Sequence, residues 1–439
     1  MTDNSAAHTP GSSAAEPHRP LRILIGADTF PPEINGSANF SARLASQLVK
    51  RGHDVHVVAP AASRKHGTFT EVIEGESMTV HRLPSLRWYP HPWLRFAIPF
   101  GIQKRSARVL DEVKPDVVHF QSHIVTGRGL AKQAHDRGIR LIGTNHVMPE
   151  NLIDHSPIPQ FMAGWAARRF WNDASRWYGL AEVLTSPTRR AADWFQEAIK
   201  VKGILAISCG VDMARFTPHT ARPAGNLIVF VGRITGEKRL EVLVRAFAQL
   251  DPALDARLEL VGGGEEEQHL ATLARSLGVG DRVTITGYVS DEQLKDGLAR
   301  ATVFAMPSIA ELQSIATMEA MSNGLPVVGA DAMALPHLVH DGENGYLFEP
   351  DNVEDLASRL TDVLTASDED YMAMARESLR IVEAHDIQKT VSTFEAIYRG
   401  EHVTDTIKEP IQERTLRSSL AKVRERTQSV RDKLSRSTD

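Results

Sequence analysis

Short apolar runs recur along the chain, each followed by a stretch with helical spacing. LRILIGA (21–27), VHVVAP (55–60), VVHFQ (117–121), RLIGTNH (140–146) and VLTSP (183–187) are continuous rather than alternating. That pattern predicts strands buried on both faces of a parallel sheet. Between them, NFSARLASQLVKRGH (39–53) and GLAKQAHDRG (129–138) carry apolar residues at helical spacing and have glycine near their ends. TPHTARPAG (217–225) is polar and rich in Pro and Gly, a linker. The pattern then restarts with LIVFVGR, RLELVGGG, VTITGYV, VFAMPS, PVVGAD and GYLFEP. The fold class is α/β, with two doubly wound domains facing across a cleft. Open sheets of this kind bind ligands at the carboxyl ends of their strands.

Composition narrows the function. The 439 residues are 42% hydrophobic and 24% charged, a globular balance. A net charge of -5 argues against a general nucleic-acid binder. One cysteine, Cys209, excludes an intramolecular disulfide and points to a reducing, cytoplasmic setting. The first 20 residues lack a signal-peptide core and read as a disordered tail. No run of about 18 apolar residues occurs, so any membrane contact is peripheral.

Candidate chemistry collects in the second unit. Arg233 and Lys238 follow a strand and are spaced to hold a diphosphate leaving group. Taken alone, two solvated surface cations are the blander alternative. The glycines of LVGGGEEEQHL (260–270) permit close backbone approach to a ligand and equally make a plain turn. A helix starting near Gln313 to Ala316 offers free backbone N–H groups. Glu311 precedes it, and Glu319 is expected about two turns inside, on the order of 10 Å away. Two carboxylates so placed do not share a proton but suit hydroxyls of one extended ligand. In the first unit, Asn35-Gly36 lies after the first strand, and Asn145-His146 closes a buried run abruptly. His119 and His123 read as structural, and no metal site is expected.

These stretches carry a resemblance. ELQSIATMEAMSNGLPVV (311–328) resembles the E-x7-E signature of retaining glycosyltransferases of the GT-B fold, family 4 (glycosyl transferases group 1). VGRITGEK, ISCGVDMARF, FPPEINGSANFSARLASQLVKRGHDVHVVAP and LPHLVHDGENGYLFEP are similar to further segments of that family. The resemblance spans roughly 21–400. It implies a tail at 1–20, an acceptor-binding Rossmann-like domain at 21–217 and a linker at 218–225. A nucleotide-sugar-binding domain at 226–380 follows, then helices at 381–400 packing back on the first domain, and a basic tail at 401–439. It further implies that Arg233 and Lys238 bind the diphosphate, Glu319 the ribose and Glu311 the transferred sugar. Backbone groups of Gln313, Ser314, Ile315 and Ala316 would add to phosphate binding, although Leu312 and Ser314 replace the family's usual glycines. Asn35 and Gly36 approach the phosphates and sugar, His146 the sugar, and Gly287-Tyr288 the base. The implied chemistry is retaining hexosyl transfer from a UDP- or GDP-sugar, without cofactor or metal.

The acceptor is argued from composition. Residues 86–108 interleave aromatics with Arg87, Arg95, Lys104, Arg105 and Arg108, and 161–178 repeat the theme. Apolar residues Leu416, Leu420, Val423, Val430 and Leu434 sit among eight basic residues, so 411–436 reads as a membrane-surface helix, a short coiled coil or a partly disordered tail. A membrane lipid or lipid-linked glycan acceptor leads; the family resemblance points the same way, to a lipid-directed member similar to diacylglycerol glucosyltransferases or phosphatidylinositol mannosyltransferases. The alternatives are a soluble small-molecule acceptor and a nucleotide-sugar epimerase of similar fold. A dinucleotide oxidoreductase is disfavoured because GADTFPPEINGS lacks G-x-G-x-x-G.

Overall fold

The computed structural model describes residues 19–33, 35–87, 95–147 and 163–406. The 411–436 segment therefore lies outside the described residues, as do 88–94 of the 86–108 segment and 161–162 of the second aromatic stretch. Two large sheets form, the second all parallel and the first parallel except at one edge. The first contains β1 (Arg22–Gly26), β2 (Asp54–Pro60), β3 (Gly67–Ile73), β4 (Glu76–Leu83), β7 (Val117–Phe120), β8 (Arg140–Thr144), β9 (Val183–Ser186) and β10 (Leu205–Ala206). Their order is β10-β9-β8-β7-β1-β2-β4-β3. β5 (Ser85–Arg87) and β6 (Arg95–Ala97) pair separately.

All five strands expected in the first unit form. β3, β4 and β10 are additions. β3 runs antiparallel to β4 at the edge of the sheet, and its residues Gly67–Thr70 are exposed. Polar residues therefore alternate through GTFTEVIEGESMTVHRL, and the continuous apolar run that signals a central strand is missing.

The second sheet holds β11 (Leu227–Val231), β12 (Arg257–Val261), β13 (Val283–Gly287), β14 (Val303–Met306), β15 (Val327–Ala330) and β16 (Gly345–Phe348). The order β13-β12-β11-β14-β15-β16 is the Rossmann order. Strand order reverses between β1 and β7 in one sheet and between β11 and β14 in the other. The loops after these four strands therefore line the crevices where an open α/β sheet takes its ligand.

Twelve helices are described. α1 (Gly36–Lys50), α2 (Ile102–Val113), α3 (Thr126–Asp136), α4 (Ala163–Tyr178) and α5 (Arg189–Ile199) belong to the first unit. α6 (Leu240–Ala248), α7 (Glu267–Ser276), α8 (Asp291–Arg300), α9 (Ile315–Met321), α10 (Val353–Leu364) and α11 (Asp368–Glu383) belong to the second. α12 (Ile387–Arg399) returns to the first, burying Ile387, Val391, Phe394, Ile397 and Tyr398 in its core. The two crossings of the chain are stitched together. The Val211 N–H donates to His385 O at 2.8 Å, and the Ile387 N–H to Val211 O at 3.0 Å. The 218–225 stretch is anchored rather than loose: Arg222 donates to the carbonyls of Leu364 and Ala366 and stacks on Tyr371.

Candidate active site

The loop after β11 turns at Gly232, whose φ of 155° lies where a side chain is rarely tolerated. A Cβ on Gly262 would meet Gly232 O at 1.9 Å, and one on Gly264 would meet Ile234 O at 2.1 Å. The glycines of LVGGG therefore serve close packing of two loops. Gly263 lies beneath the ring of Tyr288, which is 60% exposed at the carboxyl end of β13. Gly287, at φ 68°, sets that turn. An exposed ring over a flat glycine floor is shaped for stacking on a planar ligand.

Arg233 and Lys238 flank a short turn at Gly236–Lys238. Both are paired with carboxylates. Arg233 contacts Glu237 at 3.0 Å, and Lys238 pairs closely with Glu311 from the loop after β14. Burial works to raise the Glu237 pKa, but the Arg233 charge and its neighbours outweigh it and hold the carboxyl below its usual range. The cations are thus held by their own counter-ions, ready to share charge with an incoming anion. Glu237 was not legible in the sequence as a partner, although its position four residues after Arg233 is the usual spacing of such pairs.

α9 begins at Ile315, so Glu319 is its fifth residue and lies little more than one turn inside, not two. It is buried, and its Oε1 accepts from Arg43 Nη2 at 2.6 Å. Arg43 lies on α1 of the first unit, so this bridge joins the two halves of the cleft. Its Nε and Nη1 are buried without hydrogen-bond partners among the described residues. The sequence signal was available: a cation three positions after Phe40, on the side of α1 that packs inward.

The Gln313 side chain ties the loop to the chain crossing, which leaves its backbone N–H for the expected phosphate contact. Its Oε1 accepts from the Cys209 N–H at 2.7 Å, and its Nε2 donates to Ser208 Oγ at 2.8 Å. Ser314, the N-cap of α9, adopts φ 68°, the left-handed conformation usual for glycine. It makes no side-chain cap to the helix and bonds Thr317 Oγ1 at 2.8 Å. Ile315 touches the cores of both units, and Ala316 packs on the second. Thr188 Oγ1 from the first unit donates to Leu312 O at 3.1 Å. The 311–316 stretch is therefore one of the places where the two halves meet.

From the first unit, Asn35 caps α1: its Oδ1 accepts from the Ala38 N–H at 2.9 Å. A Cβ on Gly36 would meet nothing within 4 Å among the described residues. His146 Nε2 lies 2.9 Å from Gln121 Oε1, and its ring packs on Phe40. Burial lowers its pKa to about 3, so the imidazole is neutral. His119 is fully buried between Tyr398 OH and Thr144 Oγ1. His123 is buried against Phe170 and Tyr178. Asp28 was missed. Its carboxylate accepts from Ser122 Oγ and the N–H groups of Ile124, Val125 and Thr126, fixing the loop after β7. Glu33 was missed too. Desolvation raises its pKa to about 7, and one oxygen accepts from the Arg95 N–H at 2.9 Å.

A two-domain α/β enzyme with cations and carboxylates at the second sheet's switch point is the class these features define. Residues 34–215 match the model of Glycosyltransferase Family 4, and 215–379 that of Glycosyl transferases group 1. The chain belongs to this family of GT-B glycosyltransferases and is a hexosyltransferase. It is 28% identical over 369 residues to a GDP-mannose-dependent alpha-mannosyltransferase of Mycolicibacterium smegmatis, covering 82% of this chain and 92% of that one. It is 26% identical to the sulfoquinovosyl transferase SQD2 of Arabidopsis thaliana, covering 79% and 67%. Among solved structures, sucrose-phosphate synthase from Thermosynechococcus elongatus superposes with a TM-score of 0.70 at 17% identity, covering 86% of this chain and 98% of that one. The Anabaena protein HepE with UDP-glucose superposes at 0.67 and 18% identity, covering 86% and 99%.

Proposed function

We propose that the chain transfers a hexose from a nucleotide-diphospho-sugar to a lipid or lipid-linked glycan, with retention at the anomeric carbon. The observation that carries this reading is the cluster at the β11/β14 switch point. Arg233 and Lys238 would neutralise the leaving diphosphate, Glu319 would accept from ribose hydroxyls, and Glu311 would hold the transferred sugar. Backbone N–H groups of Gln313 to Ala316 would add to phosphate binding. Tyr288 would stack on the base. Gly36 leaves space for the donor at the facing helix, and neutral His146 would hydrogen-bond the sugar without adding charge.

Both carboxylates of the E-x7-E pair lie against cations, which suits hydroxyl binding better than nucleophilic attack. A front-face displacement follows, in which the departing diphosphate takes the acceptor's proton. Positioned charge of this kind acts on the transition state, where negative charge builds on the leaving group.

The lipid acceptor is supported by exposed apolar side chains in the first unit: Leu86 at 63%, Phe100 at 86% and Trp165 at 57%. Exposed Lys104, Arg108, Arg168 and Arg169 lie in the same segments. Apolar groups with flanking cations favour an anionic bilayer surface. No helix among the described residues is long and apolar enough to cross a membrane. The enzyme would work on the cytoplasmic face, in peripheral contact.

The test is incubation with GDP-mannose or UDP-glucose, with and without vesicles of mixed anionic lipid. Nucleotide release that needs the vesicles, and an α-glycolipid product, support the reading. Release driven equally by soluble acceptors would remove the lipid part. Conversion of the donor sugar without any acceptor would favour the epimerase.

A further inference from the structure

The free edge of β3 carries information that the active site does not use. β3 ends the first sheet, and no described strand pairs with its outer side. The β3–β4 hairpin turns through Glu74 and Gly75, both with positive φ, and its closing pair is Ile73 with Glu76. In a two-residue hairpin the closing pair exchanges both hydrogen bonds, and bonded pairs then alternate. Glu71, Phe69 and Gly67 therefore bond inward to Met78, Val80 and Arg82. The backbone N–H and C=O groups of Thr68, Thr70 and Val72 point out, and none has a backbone partner among the described residues.

Sheet edges are usually guarded by proline, lysine, a bulge or an inward-turned charge. β3 has no proline or lysine, and its register with β4 is unbroken. Its one charge, Glu71, is bound by Arg82 at 2.6 Å. Val72 is 73% exposed and Phe69 40%. The strand is rich in residues that favour pairing: Thr68, Phe69, Thr70, Val72 and Ile73.

We propose that this edge pairs with the same edge of a second copy of the chain. Placing Thr70 opposite its counterpart sets Thr68 against Val72 and Val72 against Thr68. Every outward-facing residue then meets an outward-facing residue, which an antiparallel ladder requires. Charge selects the same arrangement. Arg64, Lys65 and His66 lead into β3, whereas Glu74 and Glu76 lie at its far end. Antiparallel pairing puts each basic lead-in against the other copy's acidic turn, twice over, and parallel pairing would set like charges together. The two eight-stranded sheets join across a two-fold axis. The contact is smaller than a standard interface, so association is weak and concentration-dependent. Each copy keeps its own cleft, since the switch-point loops lie at the strand ends and not at this edge.

Sedimentation velocity on the full chain over a wide concentration range tests this. The expected result is a monomer–dimer equilibrium. Thr70→Pro removes the central outward N–H and weakens dimerisation about tenfold or more. The double variant Arg64→Glu, Lys65→Glu self-associates less, as does Glu74→Lys, Glu76→Lys, and mixing the two restores a heterodimer in which both charged ends are again complementary. Circular dichroism on each variant separates lost pairing from lost folding. A chain monomeric at every concentration overturns the proposal, as does a dimer that none of these substitutions changes.

Discussion

Arg43 is the residue whose position has most to say. Its guanidinium is mostly buried and reaches across from α1 to Glu319. Removing one partner of such a pair strands the other charge, which costs more than the pair contributed. Arg43→Ala should raise the donor KM about tenfold with a smaller change in kcat, because Glu319 loses its orientation rather than its chemistry. Arg43→Lys should restore part of the loss. Steady-state kinetics on both variants checks this. Lys238→Ala should lower kcat on the order of 100-fold, the usual effect of removing a group that meets developing charge. An unchanged kcat in that variant would mean that the diphosphate leaves elsewhere.

At the level of elements, the loop before α9 concentrates strain and connection. Ser314 occupies a left-handed conformation, which costs a non-glycine residue about 1–2 kcal/mol. Ser314→Gly relieves that cost but loses the bond to Thr317, so stability should stay within about 1 kcal/mol of the parent chain. Ser314→Val adds branching where φ is positive and should destabilise by about 2 kcal/mol or more. Urea unfolding of the two variants reads the difference. The strands β11, β14, β15 and β16 were legible as short runs without charge, β12 (RLELV) and β13 (VTITG) as aliphatic or β-branched stretches closed by glycine, and α9 from its cap-like start. The β3–β4 hairpin was not, because its first strand is mostly exposed and its pairing depends on a neighbour. The inward Gln313 side chain was equally hidden, since its partners Ser208, Cys209 and His385 are remote in sequence and meet only at the chain crossing.

Across the whole molecule, buried histidines set the response to acid. Burial lowers His119, His146 and His385 to about 3, and His123 and His337 to about 4, from an ordinary 6.5. Each takes up a proton more readily in the unfolded chain. Stability from these groups is therefore complete above about pH 6.5 and is lost as pH falls toward 4. Glu33 works the other way. Its raised pKa of about 7 means the folded state holds the proton more tightly, so its contribution falls as pH rises from 4.5 to 7. Five groups outweigh one, and the melting temperature should fall steadily between pH 6.5 and 4. His119→Gln should flatten that slope if the replacement keeps the contacts with Tyr398 and Thr144. The fold was readable because it rests on local apolar runs, and the candidate donor-site residues were named from short motifs. The contacts joining the two halves, Arg43 with Glu319 and Thr188 with Leu312, lie far apart in the chain and had no local signal beyond one misplaced-looking cation on α1.

The proposed function requires a nucleotide-sugar bound between Arg233, Lys238, Glu311 and Glu319. Calorimetric titration of the full-length protein with GDP and UDP tests it most directly, repeated on Glu319→Ala and Lys238→Ala. One clear binding event is expected with at least one nucleotide. Lys238→Ala should weaken it through the phosphates and Glu319→Ala through the ribose. Full affinity in both variants, or no heat with either nucleotide in the parent protein, would contradict it.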